Sequence, residues 1–235
     1  MKKKKMKLWK IVLLIVVILL FLFILLTVRK MFILSSLSNK AMAYDNAINL
    51  YTKSDFSNNS TSQFSSIEHF FKDDVIKQVA ISKDKTRQLI QVITPNERRN
   101  YTISGENKVL NIYYQDNSMV HVSRTSNFTG STTLPECFLT AITSKVYTEN
   151  LEQEPHYVLE SSSSNNFVLA GDIQKAKAYI NKETGLTTKL VAYAKQTDGT
   201  IQEFTISYHY SFDTVTDADM EEPDRNEYKV IETSY

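Results

Sequence analysis

Four histidines, one cysteine and a run of acidic residues near the end are the side chains in this 235-residue chain that could do chemistry. His69, His121, His156 and His209 would suit zinc binding or proton transfer. None has a partner at i+2, i+3 or i+4, the spacing on which zinc sites are built, so each reads as a strand residue. Asp213, Asp217, Asp219, Glu221, Glu222 and Asp224 carry enough charge for calcium, yet the glycine and closing glutamate of a calcium loop are missing. Capping of a short final turn by Thr216 or Asp217 is the expected use. Cys137 has no basic neighbour in sequence to lower its pKa and is expected to be a small buried apolar residue. A single cysteine also rules out an intramolecular disulfide. The five glycines lie far apart, so there is no phosphate-cradling loop, and no Gly-x-Ser-x-Gly elbow is present. Asn59, Asn100 and Asn127 open Asn-x-Ser/Thr triplets, chance matches in a bacterial host. No metal, no cofactor and no catalytic activity are expected.

What positions the rest is the stretch Ile11 to Val28, IVLLIVVILLFLFILLTV, whose only polar side-chain atom is the Thr27 hydroxyl. Eighteen residues make ~27 Å of helix, close to the ~30 Å core of a bilayer. Lys2, Lys3, Lys4, Lys5, Lys7 and Lys10 precede it and only Arg29 and Lys30 follow, which places the N-terminus in the cytoplasm. A cleaved signal peptide would have a shorter apolar run ending in small residues. The one Ala-x-Ala triplet, Ala41-Met42-Ala43, lies well past the run, so an uncleaved single-pass anchor is expected. The organisation that follows is a cytoplasmic basic tail at 1–10, a transmembrane anchor at 11–28, a juxtamembrane helix and loop at 29–62, and an extracytoplasmic domain at 63–235.

The first 30 residues hold 8 of the 27 basic residues and no acidic ones, leaving 19 basic against 26 acidic outside, about −7. An acidic exterior argues against nucleic acid or an anionic lipid surface as the main partner of the domain. The abundance of Tyr and Phe over Gly and Pro favours strands.

Leu37, Ala41, Tyr44, Ile48 and Tyr51 recur at steps of four and three and predict a helix over Ser36 to Tyr51, followed by a loop at Asp55 to Ser66. A coiled-coil dimer would need more than these two heptads. Short antiparallel strands are predicted at Ile67–Lys72, Val75–Ile81, Arg87–Thr94, Arg98–Ser104, Val109–Gln115 and Met119–Ser123. Phe138, Ala141, Ile142 and Val146 predict an amphipathic helix from Glu136 to Glu149. Strands resume at His156–Ser161, Phe167–Ala170, Lys177–Asn181 and Thr188–Lys195. The clearest alternation comes last: Phe204, Ile206, Tyr208, Tyr210 and Phe212 share one side while Thr205, Ser207, His209 and Ser211 share the other. About ten strands with one inserted helix predict an α+β fold, a single curved antiparallel sheet or half-barrel covering that helix and preceded by one transmembrane helix.

Two stretches carry a more specific likeness. Ala178-Tyr179-Ile180-Asn181-Lys182-Glu183-Thr184-Gly185-Leu186 is a strand entering a Lys-x-Thr-Gly-Leu turn. Tyr208-His209-Tyr210-Ser211-Phe212 runs on into an acidic end that reaches Pro223-Asp224. In these the chain resembles the outer-membrane lipoprotein carrier (LolA-like) superfamily, in its Gram-positive, membrane-anchored form. The resemblance implies an open half-barrel whose concave face holds acyl chains, and relatives that carry lipoproteins, hold lipids or sense envelope stress. It departs from a carrier in being tethered, so a fixed lipid- or lipoprotein-binding module on the cell membrane fits better than a shuttle.

The residues alone point the same way, since each buried CH₂ of an acyl chain contributes about 0.8 kcal/mol. The expected apolar pocket is lined by Phe204, Ile206, Tyr208, Tyr210 and Phe212, with Leu89 and Ile93 opposite. Filling of that space by the protein's own helix is the competing outcome. The partners expected are a lipid or acylated protein and the membrane, with an envelope protein as the alternative and no nucleic acid.

Overall fold

The computed structural model describes residues 2–45, 47–57, 62–105, 108–116, 140–162, 172–196 and 198–234. The chain opens with a 44-residue helix, α1 (Lys2–Asp45). Six strands follow: β1 (Asn49–Phe56), β2 (Phe64–Lys72), β3 (Val75–Ser82), β4 (Arg87–Ile93), β5 (Glu97–Ser104) and β6 (Val109–Asp116). Residues 140–143 are helical and lead into β7 (Ser144–Leu151), β8 (Glu154–Ser161), β9 (Asp172–Asn181), β10 (Thr187–Lys195) and β11 (Ile201–Phe212). A four-residue helix α2 (Asp217–Met220), a 3-10 turn (Arg225–Glu227) and β12 (Lys229–Ser234) complete it.

Among the described residues the twelve strands form one unclosed sheet in the order β12-β6-β5-β4-β3-β2-β1-β11-β10-β9-β8-β7. Neighbours are antiparallel except β12, which lies parallel to β6. The fold is α+β, as the sequence predicts. The order follows from hairpins on either side of the β1–β11 pairing, which joins Leu50 to Phe212 and Phe56 to Ile206 and so unites a β1–β6 half with a β7–β11 half.

Each half has its own core, on opposite faces. In the second half the inner face carries Ala178, Ile180, Leu190, Ala192, Phe204 and Ile206, and these pack with Leu34 and Leu37 of α1. In the first half the outer face is buried: Val79, Ile90, Tyr101 and Ile112 follow one another across four strands. The chain after β11 covers them. Lys72 pairs with Asp217, the Lys77 ammonium donates to the Asp219 and Glu221 carbonyls at 2.7 and 2.6 Å, and Glu222 receives Arg99 and the Tyr101 hydroxyl. Thr216 caps α2, its hydroxyl accepting from the Asp219 backbone N–H. The acidic run therefore fastens the crossover to the sheet.

Three segments depart from the sequence reading. The helix expected over Ser36 to Tyr51 is the end of α1 and stops at Asp45; Ile48 is 66% exposed and Tyr51 belongs to β1. Strand also extends to Phe56 and begins again at Phe64, inside the stretch expected to be loop. Of the described residues in the helix expected over Glu136 to Glu149, 140–143 are helical, and β7 starts at Ser144. Val146-Tyr147-Thr148 are β-branched and aromatic, and pairing with β8 outweighs their three-and-four spacing. α1 is held against the inner face together with Ala141 of the short helix at 140–143. Met119–Ser123, Phe167–Ala170, residues 136–139, His121 and Cys137 lie outside the described residues.

Candidate binding face

α1 has two unlike parts. From Leu8 to Leu26 its apolar side chains are about half exposed or more, in a run with a mean hydropathy of 3.7 over 18 residues. From Leu34 onward one stripe is buried: Leu34 is 0% exposed, Leu37 2% and Ala41 0%. Steps of three and four put these on one side of the helix, and burying each leucine contributes about 1.5–3 kcal/mol. The turn after β9 receives that stripe. Gly185 sits at φ +74°, and a Cβ there would come within 2.2 Å of the Leu37 carbonyl oxygen. Only glycine lets the helix and turn approach so closely. The Lys40 ammonium donates to the Lys182 carbonyl at 2.6 Å, and Lys30 donates to the Ala141 and Ser144 carbonyls at 3.2 and 2.9 Å.

All seven residues expected to line a pocket stand on the inner face, and the structure distributes them. Phe204 and Ile206 are 4% and 6% exposed within the cluster that α1 completes. Tyr208 packs against the same cluster, and burial pushes its hydroxyl pKa well above the usual range. The Tyr210 hydroxyl donates to the Thr187 carbonyl at 2.9 Å. The Phe212 ring lies 4.8 Å from that of Tyr44 of α1, in a tilted pair. Phe212 also starts a cross-strand row through Leu50, Phe71 and Ile76 to Ile93, which is 4% exposed. Leu89 stands apart, on the part of the face away from α1, and is 36% exposed.

Beside Leu89 the inner face opens into a cleft of about 290 Å³, with Phe64 and Ala80 at its sides and Gln78, Asn100 and Thr102 along it. The Gln91 amide donates to Asn100 Oδ1 at 2.6 Å, satisfying those two groups with each other. A smaller hollow of about 60 Å³ adjoins at Gln63, Ser82 and Arg87. Arg98 pairs with Ile93 across β4 and β5, so it stands on this face at the end of the apolar row. Its Nε and Nη2 are buried and have no hydrogen-bond partner among the described residues. Sequence reasoning missed Arg98 and the seat for α1. The first carries no motif, and the second needs a partner surface that only the fold supplies.

The histidines do not gather. His156 is 2% exposed and satisfied at both ring nitrogens, by the Glu154 carbonyl at 2.9 Å and the Thr188 hydroxyl at 3.0 Å. His209 is exposed beside Asp55, at 3.4 Å. His69 is held below its ordinary pKa by burial, partly offset by a hydrogen bond with Gln78. A second cleft of about 290 Å³ runs past His156, Glu152, Glu154 and His209. Among the described residues no three of His, Cys, Asp and Glu converge as a metal site would require.

No family model matches the sequence, nor does any curated protein. Solved structures share its outline. An uncharacterized conserved protein from Thermus thermophilus aligns at 9% identity and a TM-score of 0.46, over 84% of this chain and 98% of its own. LprF from Mycobacterium bovis aligns at 10% and 0.40, over 77% and 92%. A LolA superfamily protein from Nitrosomonas europaea aligns at 10% and 0.27, over 80% and 96%.

Proposed function

We propose that this chain is a non-enzymatic, single-pass module on the cell membrane, of the Gram-positive LolA-like kind. Its N-terminus is cytoplasmic, and its sheet domain binds a lipid or an acylated protein outside the cell. The reading rests on the Leu89 cleft in the inner face, with Arg98 on the same face at the other end of the β4–β5 pair. Apolar side chains in the cleft and a cationic side chain on the same face suit an amphiphile with an anionic group, which would pair with the Arg98 guanidinium. Phe204 and Ile206 then serve as the seat of α1, Leu89 as the ligand-side residue, and Ile93, 4% exposed, as part of the packed row beside it.

The test is photo-crosslinking of the full chain in nanodiscs with a phospholipid carrying a diazirine on its acyl chain. Labelled peptides from β3 to β5, lost in Leu89→Glu, are the expected result. Labelling confined to residues 11–28 would remove the lipid from this reading.

A second reading, an envelope protein-interaction module without a small ligand, is favoured by one observation. The open cleft, about 290 Å³, sits at the floor of the ~300–1,000 Å³ range of ligand pockets, while β7 and β12 leave two sheet edges for strand addition. In-cell crosslinking that traps one dominant protein, with β3–β5 unlabelled by lipid, selects it.

A further inference from the structure

The helix that carries the apolar run enters the domain without a break, so the height of the domain above a bilayer is fixed by the helix itself. Thr27 lies inside the apolar run and is only 6% exposed, whereas its neighbours Leu26 and Val28 are 57% and 41% exposed. Protein therefore already covers one side of α1 within the run. One turn later Lys30 donates to the carbonyls of Ala141 and Ser144, which brings residues 141–144 level with the turn that leaves the run. Ile142 lies between those two carbonyls and presents a side chain that is 43% exposed. Phe32 stands ~6 Å along the helix from Val28 and is 73% exposed, away from the stripe that docks on the sheet. No linker separates span from domain, so neither side chain can be lifted clear of that layer.

We infer that the end of the domain nearest the span is seated in the outer leaflet, with Phe32 and Ile142 in the headgroup layer beside Arg29 and Lys30. This rests on residues 11–28 being a membrane anchor. Lipid is the occupant because that is what surrounds a helix at this depth. Aromatic and aliphatic side chains flanked by cations are what the boundary between headgroups and acyl chains accepts.

The experiment uses the full chain with the native tryptophan removed (Trp9→Phe), reconstituted in two sets of vesicles, one with phospholipid brominated near the carbonyl to read the boundary and one with phospholipid brominated near the acyl-chain end to read Leu20→Trp. Single tryptophans are placed by Ile142→Trp, Phe32→Trp, Leu20→Trp in the span and Ile48→Trp at the far end of the domain. All four positions are exposed, which leaves the fold intact. Ile142→Trp and Phe32→Trp should be quenched roughly twofold more than Ile48→Trp, as expected for side chains in the ~5–10 Å boundary layer. Quenching of Leu20→Trp with Ile142→Trp no different from Ile48→Trp overturns the seating while leaving the anchor standing. Absence of quenching at Leu20→Trp itself overturns the anchor, and the seating with it.

Discussion

At the scale of single residues, two glycines with similar backbone conformations separate strain from contact. Gly185 and Gly199 have φ of +74° and +85°, but a Cβ at Gly185 would strike the Leu37 carbonyl while one at Gly199 would meet nothing within 4 Å. Gly199→Ala is expected to cost about 1 kcal/mol, the left-handed penalty alone. Gly185→Ala should cost at least about 2 kcal/mol, because the helix must also shift. Urea unfolding in detergent compares them, and equal losses would mean that the α1 seat contributes nothing at this point. His69 gives a dependence on pH. Burial lowers its folded pKa, so the unfolded chain binds the proton more readily, and stability present above the unfolded value is lost as pH falls toward the folded one. Between about pH 7.5 and 5.5 the wild type should lose more stability than His69→Gln, read as the shift in urea midpoint.

At the scale of elements, α1 carries both the apolar run and part of the core. Its buried stripe joins Ala141 of the 140–143 helix in one cluster, so the inner face of β8–β11 is completed largely by a segment that precedes the first strand. A chain beginning at residue 30 should therefore stay folded and monomeric. One beginning at residue 46 should expose Phe204 and Ile206, bind a hydrophobic dye and aggregate. Sedimentation of the two, with dye fluorescence, checks it, and a well-behaved shorter chain would remove α1 from the core. β11 is legible in the sequence because one of its faces is buried, and so are the β2–β6 hairpins with their turn residues. β7 is not, because Ala141 and Val146 belong to one apolar cluster through different elements, which imitates helical spacing. β12 is not, since an edge strand paired parallel to β6 shows no buried alternation. Of the candidate face, the apolar residues are legible and the cover is not, because a stripe on a helix does not name the surface it meets.

At the scale of the whole molecule, two cores on opposite faces are joined through β1 and β11, and each is closed by a distant part of the chain. The core of the β7–β11 half is closed by α1, that of the β1–β6 half by the crossover to β12. Lysine is in excess before the apolar run and acid after it, so the two ends of the molecule differ in charge. β6 ends at Asp116 and β12 begins at Lys229, so the ribosome makes the β1–β6 sheet long before the crossover and edge strand that cover it. Throughout that interval a nascent chain carries Tyr101 and Ile112 without the crossover that packs on them. A product cut short before residue 213 would lack that cover and should be cleaved by surveillance proteases faster than the full chain.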